Sequence, residues 1–105
     1  MDNFFSQIEF EWDVGNIRKN FERHDLDTRR IEEAFLGFNI MMPDEKHSTT
    51  EVRNLLIGRD NLNNKLSVIF TIRYGKVRVI SARGANKLER ELYEKAFKKY
   101  SQIQK

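Results

Sequence analysis

The sequence predicts an α+β domain: a mainly antiparallel sheet with helices packed on it, in the order β-α-α-β-β-β-β-α. Three observations carry that expectation. Residues 66–83 (LSVIFTIRYGKVRVISAR) read as two apolar-alternating arms around a turn. Ile8, Phe10 and Trp12 alternate strictly with Gln7, Glu9 and Glu11, the pattern of a strand buried on one face. Three further stretches space their apolar residues three and four apart behind recognisable caps.

The hairpin organises the rest. Leu66, Val68, Phe70 and Ile72 share one face of the first arm, and Val77 and Val79 share one face of the second, with Arg78 and Ile80 opposite. Gly75 takes the turn, where a positive φ is easiest. Tyr74-Gly75 is a weaker turn pair than Asn-Gly, so the register is only loosely fixed. Thr71, Arg73, Ser81 and Arg83 end the arms and are candidates for a polyanion-binding surface.

The other elements follow in chain order. After the first strand, Asp13 is the N-cap of a helix reaching about His24, with Val14, Ile17 and Phe21 as its apolar stripe. Asp27 caps a second helix to about Leu36, with Leu26 and Ile31 as a hydrophobic staple and Gly37 ending it. Residues 39–42 form a short strand stopped by Pro43, the only proline. Residues 44–50 (DEKHSTT) are a polar loop, residues 51–57 a strand ended by Gly58, and residues 60–64 (DNLNN) a turn. Asn86 caps the last helix with Glu89 three residues on. Leu88, Leu92 and Ala96 line one row of that helix, and Tyr93, Phe97 and Tyr100 the next. Glu91–Lys95 and Glu94–Lys98 pair on its exposed side.

Composition narrows the function classes. At 105 residues the chain is one domain, residues 1–105, with a small core. It has no cysteine, which excludes disulfides and thiolate-based zinc or redox chemistry. No apolar run reaches a membrane span and residues 1–7 lack the pattern of a signal peptide, so a cytoplasmic location is expected. The net charge of +3 is mild, but many of the cations are arginines near predicted element ends, and the planar fork of arginine suits phosphate.

His47 lies in the polar loop just before Glu51 and Arg53. If the latter two lie on a strand, they share a face, and an imidazole, a carboxylate and a guanidinium cluster around one ligand. By spacing alone the same residues read first as a solvated loop leading into an edge strand. His24, beside Arg23, reads as a cation at a helix C-terminus. Phe10, Phe21, Phe35, Phe70 and Phe97 occupy periodic core positions, which argues against an aromatic RNA-binding face on the sheet. No phosphate loop, metal-ligand set or Ser-His-Asp order is present, and no cofactor is expected.

A set of residues resembles a known family. FEWD (10–13), Asn20, Arg23-His24, His47-Ser48, Glu51, Arg53, Gly58, Thr71, ISAR-x-A (80–85), Glu89-Arg90 and Tyr93 occur in that order, over nearly the whole chain. They resemble the BrnT family of bacterial toxins. The resemblance implies a RelE-like fold and a metal-independent endoribonuclease that inhibits translation. It implies neutralisation by a BrnA-type antitoxin, with operator DNA bound through the toxin–antitoxin complex. His47 or Glu51 would then be the catalytic base, with Arg53 and Arg83 stabilising charge. Arg23, His24, Arg73 and Arg78 would position RNA phosphates. Two departures stand out: the family often has Lys-His where this chain has Arg23-His24, and usually a lysine where it has Asn16. The alternative expectation is a catalytically degenerate homologue that only binds an antitoxin or operator DNA. Arg83 also admits a structural reading, bonding chain ends near Glu89.

Overall fold

The structure, a computed structural model, describes residues 9–47 and 50–103, without the side chains of Glu22, Arg23, His24 and His47. The elements are β1 (Phe10–Glu11), α1 (Val14–His24), α2 (Thr28–Leu36), β2 (Ile40–Pro43), a 3-10 turn (Glu45–His47), β3 (Asn54–Arg59), β4 (Lys65–Arg73), β5 (Lys76–Gly84) and α3 (Lys87–Ile103). The five strands form one sheet in the order β1-β5-β4-β3-β2. β2 to β5 pair antiparallel, while β1 runs parallel to β5 through Phe10–Val77 and Glu11–Arg78. The expected α+β class and element order hold, and the sheet is mixed.

Alternation divides the sheet into two faces. Leu56, Leu66, Val68, Phe70, Val77, Val79 and Ala82 meet Leu26, Ile31, Ala34 and Phe35 of the α2 region, with Phe10 and Trp12 at the margin. Phe35 sits edge-on to both Phe10 and Phe70, at 5.1 Å between ring centroids in each case. The neighbouring Ile57 faces the other way. It packs with Ala85, Tyr93, Leu55, Ile40, Met42, Phe38 and Phe97, the seat of α3.

Local chemistry fixes the element ends. Asp13 and Asp27 accept hydrogen bonds from the backbone N–H groups of Asn16 and Arg30, as predicted caps. Asn86 and Glu89 form the predicted reciprocal capping box, at 2.8 and 2.9 Å. Asp60 is buried and organises the turn after β3. It accepts from the backbone of Leu62 and Asn64, from Asn64 Nδ2 and from Arg30 Nε. Burial pushes the Asp60 carboxyl up, but these donors outweigh it and hold the group below its ordinary range.

Four expectations are corrected. β3 begins at Asn54, not residue 51, and runs through Gly58 to Arg59. Gly58 serves close packing instead: a Cβ there would stand 2.2 Å from the Ala34 carbonyl oxygen of α2. In α1, Val14 and Phe21 are exposed and Asn20 is buried, so the helix docks through polar side chains. In α3, Leu88 and Leu92 are exposed while Glu89 and Tyr93 are buried, and Glu94 pairs with Lys65 of β4 at 3.0 Å. Finally, β5 is irregular: Ile69 pairs with Ser81 but Phe70 with Val79, leaving Ile80 as an extra residue. The bulge returns Ala82 to the core face. α1 brackets it, with Asn16 Nδ2 donating to the Val79 carbonyl and Asn20 Oδ1 accepting from the Ala82 N–H.

Candidate functional site

α3 covers only one end of its sheet face. It leaves β5 at Ala85 and crosses toward Phe38, which it meets through Tyr93, Phe97 and Tyr100. Among the described residues no helix covers the far end of that face, where Arg73 and Lys76 are exposed and Thr71 is buried under the loop before β3. Ser67, Ile69, Thr71 and Arg73 of β4 point to it by alternation, and the register sets Arg78 opposite Thr71 and Lys76 opposite Arg73.

The loop before β3 adds a carboxylate and another guanidinium. Glu51 Oε2 accepts from Arg73 Nε at 3.3 Å and Nη2 at 3.2 Å, and Glu51 Oε1 lies 4.0 Å from Arg53 Nη2. Two bonds fix this loop. Thr71 Oγ1 donates to the Val52 carbonyl at 2.8 Å, and the Asp44 N–H to the Arg53 carbonyl at 2.8 Å. Glu51 and Arg53 therefore come together as the spacing suggested, but on a pinned loop rather than on a strand. The ladder starts one residue later, where Asn54 pairs with Pro43.

β1 supplies a second row. Glu11 Oε1 lies 3.9 Å from Arg78 Nη1, and Glu9 Oε2 lies 3.6 Å from Lys76 Nζ. Lys76, Glu9 and Glu11 were not singled out in the sequence. The alternation of Glu9 and Glu11 against Ile8, Phe10 and Trp12 was legible. The parallel pairing that lays them beside β5 was not.

The remaining expected site residues lie elsewhere or outside the description. His47 ends the 3-10 turn in the loop that also carries Glu51, but its side chain is outside the described residues. The side chains of Arg23 and His24 are likewise outside them. Their backbone forms the last turn of α1, which runs along β5 from Val79 to Ala82 and onward, away from the Arg78 end.

Arg83 is a correction to the expected convergence. It pairs with Ser67, four β4 residues from Thr71, about 13 Å along the strand at its usual rise. Its guanidinium donates to Glu89 Oε1 at 2.7 Å and Oε2 at 3.0 Å, and to the Gly84 carbonyl. Ser67 Oγ donates to Glu89 as well. Burial pushes the Glu89 carboxyl up, but these bonds hold it below its ordinary range. The same pairing raises the Arg83 guanidinium.

The open end thus sets Arg73 and Arg53 against Glu51, with Arg78 and Lys76 on the same face paired to Glu11 and Glu9 of the β1 region. Several guanidinium forks on one accessible face suit a phosphodiester backbone, and a carboxylate among them can take a proton. Among the described residues, no group of three His, Asp or Glu side chains is placed to hold a metal.

A family model described as the ribonuclease toxin BrnT of type II toxin–antitoxin systems matches residues 12–89. The crystal structure of the Brucella abortus ribonuclease toxin BrnT superposes with a TM-score of 0.59 at 25% identity, covering 77% of this chain and all of that one. No curated protein sequence matches the chain. The family match spans well over half the chain, from Trp12 just after β1 to the Glu89 that anchors α3, and on that ground the chain belongs to the BrnT family of ribonuclease toxins.

Proposed function

We propose that the chain is a metal-independent endoribonuclease of RelE-like fold that acts on RNA at the open end of the sheet. The observation that carries this is Glu51, held between Arg73 and Arg53 on a face that Arg78 shares by strand register. In the proposed reaction the ribose 2′-OH attacks the adjacent phosphorus. The 2′-O–P bond forms and the P–O5′ bond breaks, giving a 2′,3′-cyclic phosphate and a 5′-OH. Glu51 or His47 takes the 2′-OH proton and the other returns one to the departing 5′ oxygen. Arg53 and Arg73 offset charge growing on the phosphorus oxygens, while Arg78 and Lys76 hold flanking phosphates.

In the cell this activity would inhibit translation and be neutralised by a BrnA-type antitoxin, with operator DNA bound through the pair. The family membership supports that reading. No described helix is long and apolar enough to cross a membrane, and the proposed location is the cytoplasm.

The commitment of Arg83 to Glu89 favours a second reading, a homologue that binds antitoxin or operator DNA without turnover. Incubating the purified chain with RNA and a chelator separates the two. Cleavage ending in cyclic phosphate, lowered on the order of 10²-fold in Arg53→Ala, supports the enzyme. RNA retention without cleavage supports the binding module. His47→Ala and Glu51→Gln proteins that arrest growth as the wild type does would remove the proposed acid–base pair.

A further inference from the structure

Tyr74 stands at the tip of the β4–β5 hairpin and is 99% exposed. Its φ is +50°, followed by +78° at Gly75, so both turn residues lie in the left-handed region. That turn favours Asn, Asp or Gly at its first position. An aromatic side chain there gains nothing from burial and sits in a disfavoured backbone well. Neither turn propensity nor packing accounts for it. Strained residues of this kind cluster at sites of function.

The flanking residues say what lies beside the ring. Arg73 and Lys76 pair across the turn, and both point to the open sheet face with Glu51 and Arg53. The other described tyrosines differ: Tyr93 is buried, and Tyr100 lies on Phe38 with ring centroids 4.8 Å apart. Tyr74 is thus a solvent-facing ring joined directly to a cation of the proposed phosphate-binding surface.

We propose that Tyr74 is a positioning residue that stacks on a nucleobase of single-stranded RNA, one step along the chain from the phosphate held by Arg73. This rests on the ribonuclease reading of the site and specifies its substrate. A base stacked on the ring must already be unstacked from its neighbours, so the surface selects single strands over duplex. Every base has a π face, so the contact is tolerant of sequence.

The test uses a fluorescently labelled, unstructured 2′-O-methyl oligoribonucleotide, which cannot form a cyclic phosphate and reports binding alone. Tyr74→Gly should keep or raise the melting temperature, because glycine accepts the turn, yet weaken binding roughly ten-fold, within the range for one base–aromatic stack. Tyr74→Trp should bind as the wild type does, and its fluorescence should be quenched by the oligonucleotide. The wild-type signal comes from Trp12 alone, which is bonded to Glu32 of α2 on the other face of the sheet from Arg73, and should change little. If the wild type binds and Tyr74→Gly binds equally well, the stacking role is overturned while the site reading stands. The same holds if Tyr74→Gly loses only antitoxin binding. A wild-type chain that binds no RNA overturns both.

Discussion

Arg83 meets Glu89 through two parallel hydrogen bonds, Nη1 to Oε1 at 2.7 Å and Nη2 to Oε2 at 3.0 Å. The clasp ties the end of β5 to the first turn of α3. Glu89 also accepts from the Asn86 N–H and from Ser67 Oγ, so one carboxylate serves the helix cap, the neighbouring strand and the arginine together. An arginine so engaged is expected to act on stability before it acts on chemistry. Arg83→Ala should lower stability by about 1–2 kcal/mol, a bound set by its partial exposure. Its single-turnover cleavage rate, corrected for the folded fraction, should stay within a few-fold of wild type. Urea denaturation and single-turnover assays on the same preparations check this. A 10²-fold rate loss at unchanged stability would return Arg83 to the catalytic set.

Two well-bonded carboxylates bear on the acid limit. Asp60 and Glu89 both titrate below their ordinary ranges in the folded chain, because their hydrogen bonds outweigh the cost of burial. A lowered folded value means that the unfolded chain binds the proton first as pH falls. Their contribution is therefore complete above the unfolded carboxylate range, about pH 4, and is lost as pH falls through the folded values. The urea midpoint should be nearly level from about pH 7 to pH 5 and drop steeply below about pH 4. Asp60→Asn and Glu89→Gln should start lower and decline less.

The contact between Gly58 and Ala34 leaves no space for a methyl group. A Cβ at residue 58 would stand 2.2 Å from the Ala34 carbonyl oxygen, and neither backbone can yield without parting β3 from α2. Gly58→Ala should therefore cost about 3 kcal/mol, although alanine suits a strand better than glycine does. Gly37→Ala is the control, since a Cβ there meets nothing within 4 Å. Differential scanning calorimetry should show a large drop for the first and a small change for the second.

Local signals carried most of the fold, and non-local ones decided the site. The caps at Asp13, Asp27 and Asn86 were legible because each satisfies helix N–H groups within four residues of itself. The core face of β4 was legible because alternation is local. The bulge at Ile80 was not, since it depends on Asn16 and Asn20 reaching β5 from a helix more than sixty residues earlier in the chain. The exposure of Leu88 and Leu92 was hidden for a related reason: the α3 row that turns inward is chosen by Ile57 and Phe38, not by the helix. At the site, the spacing of Glu51 and Arg53 brought the right pair together for the wrong reason, a pinned loop instead of a strand. Arg73 and Arg78 fell on the open face because the hairpin register puts them there. Arg83 takes the other reading open to it, a bond to Glu89, and its distance from the Glu51 group is a property of strand length that its neighbours in sequence do not reveal.

Asn16 gives the last prediction, because the resemblance implies a lysine at its position in the family. Its Nδ2 donates to the Val79 carbonyl at 3.1 Å, filling an acceptor left open at the sheet edge beside the bulge. The contact ties α1 to the β5 edge, whereas Arg53 and Arg73 meet at Glu51 beyond β4, on the far side of β5 from α1. Asn16→Lys should therefore cost about 1 kcal/mol through the lost bond. It should leave affinity for the uncleavable oligonucleotide unchanged at 150 mM salt, a condition we choose because the Debye length there is about 8 Å. Thermal melting and fluorescence anisotropy on the variant provide both readouts. Severalfold tighter binding that weakens with added salt would place residue 16 on the RNA surface and extend that surface around the β5 edge.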